Sequence, residues 1–159
     1  MMRFARTVIC AFFTASLAYS PCMAADSEAA ALQMVKKLRL GGNLAPMGLQ
    51  AATGTVTYQV VVKTVGADNA RALVTQELNK VRPKYQDQRD RNLAASYAPF
   101  FTSDELLSIA EKQRQSPYIN KFLSKQNDVG AAMRSKSTQL PTQYVTEAMT
   151  VAYLKVAPK

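Results

Sequence analysis

The sequence predicts an all-α fold, a small helical bundle of about five to seven helices in a single domain. Three observations predict it. Apolar residues recur at three- and four-residue spacing through most of the chain, as in Ala70, Leu73, Val74, Leu78 and Val81, or Leu106, Ile109 and Ala110. Helix-start chemistry precedes these runs, and glycine or proline falls between them. One stretch, "GTVTYQVVVKTVG", alternates as a strand does, but no second stretch could pair with it, and a lone strand would leave its backbone groups unsatisfied. That stretch is therefore read as helix over residues 55–65, with packing overriding propensity.

The elements follow in order. Arg3 and Arg6, the apolar run Thr7 to Ala18, Pro21, and the small residues Ala24 and Ala25 make an export signal over residues 1–24. The apolar run is shorter than the roughly 20 residues that span a bilayer. A lipoprotein reading, with Cys22 lipidated, places Pro21 where a small residue is needed, so cleavage after Ala24 is preferred. Residues 25–159 then form the mature domain, with no further transmembrane segment. Ser27 offers a cap for a first helix carrying Leu32, Val35 and Leu38, which "GGN" at Gly41 to Asn43 stops. "LAPMG" reads as loop. Asp68 offers the next cap, and Pro83 should end or kink that helix or open another carrying Tyr85, Leu93 and Tyr97. In "FTSDELLSIAEKQ", Thr102 and Glu105 form a capping box. In "RQSPYINKF", Ser116 reads as an N-cap and Pro117 as the first residue of a helix with the stripe Ile119, Phe122, Leu123, Val129 and Met133. Pro141 starts the last helix, with Tyr144, Val145, Ala148, Val151 and Ala152.

Composition closes several chemistries. There is no histidine or tryptophan, and both cysteines, Cys10 and Cys22, lie in the signal. A mature chain without thiol or imidazole excludes disulfides, cysteine nucleophiles, Ser-His-Asp triads and His/Cys zinc sites. Nothing calls for a metal or cofactor. The net charge of +9 stays strongly positive after Arg3 and Arg6 are removed. In an exported protein that balance points to anionic envelope surfaces or acidic partners, and the compartment argues against nucleic acid. "KVRPKYQDQRDR" concentrates Lys80, Arg82, Lys84, Arg89 and Arg91 into an anion-binding candidate, which Asp87 and Asp90 partly neutralise.

The order of signals over residues 97–133 resembles the exported bacterial family named domain of unknown function 2059. Phe101, Thr102, Glu105, Leu106, Ile109, Ser116, Pro117, Lys121 and Phe122 carry the resemblance. Gln113 and Arg114 stand where an aromatic pair is usual, and Ile119 replaces a glycine. The resemblance implies an exported helical domain and supplies no reaction.

For function, the chain reads as a non-catalytic binding or interaction module, in the periplasm or secreted, whose partner is an envelope protein. Tyr118, off the apolar stripe, and Lys121 join the basic residues as the candidate interaction surface. Adhesion to anionic lipid or polysaccharide is the alternative. A carboxylate-dependent hydrolase of cell-wall glycan is the third reading, but Asp104 and Glu105 are adjacent in a first helical turn and do not converge on one substrate. Ser116 could act as a nucleophile only with Lys112 or Lys121 as its base.

Overall fold

The computed structural model describes residues 21–158, with side chains from residue 25 onward. The export signal read over residues 1–24 therefore lies outside the described residues, apart from the backbone of 21–24. Among the described residues the chain forms eight α-helices and two short 3-10 turns, with no strand. The fold is all-α, as the apolar spacing predicts.

α1 (Pro21–Leu38) is already running when it reaches Ser27. Ser27 is not its cap but sits on its buried side with Ala30, Ala31, Met34 and Val35. Nothing between Pro21 and Ser27 breaks a helix, and proline suits a first turn. The helix also stops earlier than its glycines. Arg39 takes the left-handed conformation, φ 53°, and the Leu40 amide donates to the Val35 carbonyl at 3.1 Å. This is a Schellman closure with arginine in the glycine position. Gly41 serves another purpose: its carbonyl accepts from Gln86 Nε2 at 3.0 Å and Arg89 Nε at 3.2 Å, and a Cβ there would collide with the Asp90 carboxylate.

"LAPMG", read as loop, opens α2 (Leu44–Thr53). Pro46 falls in the first turn, where no amide is required, and Gly48 lets the helix approach the ring of Tyr144. α3 (Val56–Val65) is the alternating stretch, and it is a helix. Thr55 caps it, its hydroxyl accepting from the Tyr58 amide at 3.1 Å. α4 (Ala67–Tyr97) begins at Gly66, with φ 84°, so Asp68 lies in its first turn rather than at its cap. It runs unbroken through Pro83 and, at 1.5 Å per residue, is about 45 Å long. The missing proline amide deprives the Asn79 carbonyl of its donor. Both residues are exposed, so water can serve it.

α5 (Ser103–Lys112) starts with the expected capping box: Thr102 Oγ1 accepts from the Glu105 amide at 3.3 Å, and Glu105 Oε2 accepts from the Thr102 amide at 3.0 Å. The helix read from Pro117 to Met133 is two, α6 (Ile119–Ser124) and α7 (Gln126–Lys136), parting at Lys125. Ser124 Oγ donates to the Lys121 carbonyl at 2.9 Å, the local competition with helical hydrogen bonding that serine introduces. The split leaves Leu123 62% exposed. α8 (Leu140–Val156) has proline in its first turn, as read.

The core has two clusters. Leu44, Ala52, Tyr58, Val74, Leu78, Tyr144 and Ala148 fill the first, between α2, α3, α8 and the first half of α4. Met34, Val35, Ala94, Tyr97, Leu106, Ile109 and Val129 fill the second, between α1, α5, α7 and the last part of α4. α4 is the spine shared by both. No described helix is long and apolar enough to cross a membrane.

Candidate interaction surface

The basic residues of α4 do not form one patch. Positions 77, 80, 84, 87 and 91 follow helical spacing down one face, and their charges are interleaved with those of neighbouring helices. Lys80 pairs with Glu77 at 2.9 Å, Lys84 with Glu147 of α8 at 2.7 Å, and Arg91 with Asp87 at 3.1 Å. Asp87 also meets Lys36 of α1 at 3.5 Å. Arg89 points elsewhere, binding the Gly41 carbonyl and Asn43 Oδ1, the latter at 2.6 Å, and so anchors the segment between α1 and α2. Burial holds its guanidinium pKa below the usual value. Arg82 is exposed.

Glu77 is the charged residue that the sequence pattern hid, because it reads as one more core-facing position of α4. Its side chain is 4% exposed, and Lys155 of α8 meets its Oε1 at 2.6 Å, the same oxygen that Lys80 contacts. The Lys155 hydrogen bond holds the carboxyl below its ordinary range; burial opposes this and Lys80 adds to it. Glu147 is likewise held low, by Lys84 and by the Tyr85 hydroxyl, which donates at 2.6 Å.

At the joint after α5, Ser116 is buried, and its role differs from that of a helix cap. Its Oγ accepts from the Tyr118 amide at 3.3 Å and lies 3.0 Å from Ser108 Oγ. Pro117 and Tyr118 form a turn, and α6 begins after them. Ser116 therefore closes that turn and pins it to α5. Lys121 does not approach it: the ammonium binds both oxygens of Glu105, at 2.8 and 2.6 Å. Burial pushes Glu105 up, but Lys121 and the Thr102 amide outweigh it and leave the carboxyl low. Tyr118 is half-buried against the second core cluster rather than free on the surface. Behind it, Tyr97 stacks on Phe122 at 5.3 Å.

An open cleft of about 250 Å³ lies between the start of α3 and the outer side of α8. Thr55 and Thr57 form one wall, and Val145, Met149, Tyr153 and Leu154 much of the other. Leu154 is 66% exposed, and Val56, between the two threonines in sequence, is 82% exposed. An apolar floor with hydroxyls at its edge suits a partly apolar ligand. The signal for it was present in the sequence as surplus: Tyr153 and Leu154 exceed what the buried face of α8 uses.

No protein-family model, curated protein or solved structure matches this chain. The resemblance over residues 97–133 rests on those residues alone.

Proposed function

We propose that this chain is an exported, non-catalytic binding module of the cell envelope, and that the cleft between α3 and α8 receives an apolar segment of a partner protein. The observation that carries this reading is the exposure of Tyr153 and Leu154 on the wall of an open apolar cleft. Exposed apolar residues gathered about a concavity are a feature of interaction sites. Of the groups weighed for catalysis, Glu105 is bonded to Lys121 and Ser116 to Ser108, which supports structural roles for both. Export is supported by the N-terminal pattern of basic residues, apolar run and small residues.

Cross-linking capture from intact envelope, comparing the parent with Leu154→Asp and Tyr153→Asp, tests the cleft. The parent should retain a cross-linked partner that both variants lose while their helical circular dichroism is unchanged. Equal capture by all three would sink the reading. For export, the purified mature chain should begin at Ala25 or Asp26, and an N-terminus at a lipidated Cys22 would overturn the proposed processing.

A further inference from the structure

A second surface lies on the side of α8 that faces α4, away from the cleft. Two ammonium groups, from Lys80 and Lys155, both contact Oε1 of Glu77, at 2.9 and 2.6 Å. The carboxylate is buried and the lysines are not: their side chains are 52% and 43% exposed, against 4% for Glu77. One negative charge meets two positive ones, so one positive charge is left over. Each ammonium has three donors, and outward-facing donors remain after Glu77 is served. The two nitrogens are close enough for one tetrahedral oxyanion to touch both. Since Glu77 already holds the long lysine side chains in place, an incoming anion orders less than it would on free surface lysines. One turn further along α4, Lys84 extends the positive edge, although Glu147 occupies it.

We propose that Lys80 and Lys155, held together over Glu77, form a binding site for the phosphate group of an anionic ligand. The chemistry is that of a phosphate ester or free phosphate, bound by two charge-assisted hydrogen bonds. The source is either the headgroup of an anionic phospholipid or a soluble phosphate. This surface is independent of the α3–α8 cleft and stands whether or not the cleft binds a protein.

The test is titration of the purified chain, followed by the lysine side-chain ε-methylene resonances, with inorganic phosphate and, separately, with phosphatidylglycerol–phosphatidylcholine vesicles against phosphatidylcholine alone. Two lysines should shift saturably and vanish one each in Lys80→Gln and Lys155→Gln. Either variant should weaken binding about tenfold, the worth of one charge-assisted hydrogen bond, while Lys63→Gln, the same charge change on exposed α3, leaves it within about twofold. Saturation by phosphate identifies a soluble ligand, and saturation by the anionic vesicles alone identifies a headgroup. An equal loss in Lys63→Gln, or no saturable shift with either probe, overturns the site. A second measurement does not depend on the lysine variants. In Glu77→Gln the amide oxygen can still accept from both ammonium groups but no longer neutralises one of them, so phosphate should raise the melting temperature of this variant more than that of the parent, at ionic strength matched with chloride. Equal gains would place the anion elsewhere and refute the proposal.

Discussion

Gly48 is a residue where one methyl group meets two opposing effects. It lies inside α2, where alanine is favoured over glycine by about 1 kcal/mol. A Cβ there would run into the ring of fully buried Tyr144 and come within 3.2 Å of Leu78 Cδ2. Tyr144 cannot swing aside easily, because its hydroxyl donates to the Leu78 carbonyl at 3.1 Å and its ring packs on Tyr85. Overpacking of this kind costs about 1–3 kcal/mol, so it outweighs the propensity gain. Gly48→Ala should therefore lower the melting temperature. Ser116→Ala should cost about 1 kcal/mol through the hydrogen bonds with Tyr118 and Ser108. Ser116→Asp should cost more, since the site is 3% exposed and offers a carboxylate one amide and one hydroxyl but no cation. Thermal melts of both variants check the order, and an aspartate variant as stable as the parent would restore the simple helix-cap role.

At the scale of elements, apolar helical spacing was the most legible feature. Of the four caps read from the sequence only the one before α5 holds, and Ser27, Asp68 and Ser116 are not caps. Thr102 and Glu105 announce α5, and the absence of any partner strand was enough to read α3 as helix although Val56, Tyr58, Val60 and Val62 alternate. What could not be read were features decided by tertiary contacts. Gly41 and Gly42 look like the stop for α1, yet Arg39 is the residue at positive φ and Gly41 answers to Asp90 on α4. Pro83 looks like a boundary, yet α4 passes through it, held on both sides by the two core clusters. The basic run looks like one patch because Glu147, the partner of Lys84, lies on α8, and because Glu77, the partner of Lys80, reads as one more core-facing position of α4. Helix-interior proline costs about 3 kcal/mol, which packing offsets here. Pro83→Ala restores a donor to Asn79 and should raise stability by about 1–3 kcal/mol, measured by urea unfolding. Arg39→Gly should also stabilise, by up to about 1 kcal/mol, because glycine enters the left-handed region without the Cβ penalty. A loss of stability in Pro83→Ala would mean that the proline sets a bend on which the packing of α4 depends.

For the whole molecule, the question is whether the two core clusters behave as one unit. α4 belongs to both, and a helix of its length cannot melt at one end without exposing apolar residues such as Leu78 or Ala94 that its other partners need. Carboxylates add cross-links: Glu77 and Glu147 tie α4 to α8, while Glu105 ties α5 to α6. All three are held below the ordinary value of 4.5. A carboxyl with a lowered folded-state pKa stabilises the protein above its unfolded value and loses that contribution as pH falls through the folded one. The melting temperature should accordingly be steady near neutrality and fall below about pH 4.5, with a shallower fall in Glu77→Gln. Single-unit behaviour is tested by truncating one fully buried leucine in each cluster. Leu78→Ala and Leu106→Ala should each cost about 2–5 kcal/mol, and, being remote from each other, should add in the double variant. If α4 couples the clusters, each single variant shifts one common transition, seen alike by circular dichroism and by amide exchange in both halves. The competing outcome is specific: Leu106→Ala would lower only the transition of α1, α5 and α7, leaving the amides of α3 and α8 protected. That result would make the protein two helical units joined by a shared helix, and would confine any effect of Lys80, Lys155 and the cleft to the unit built on α8.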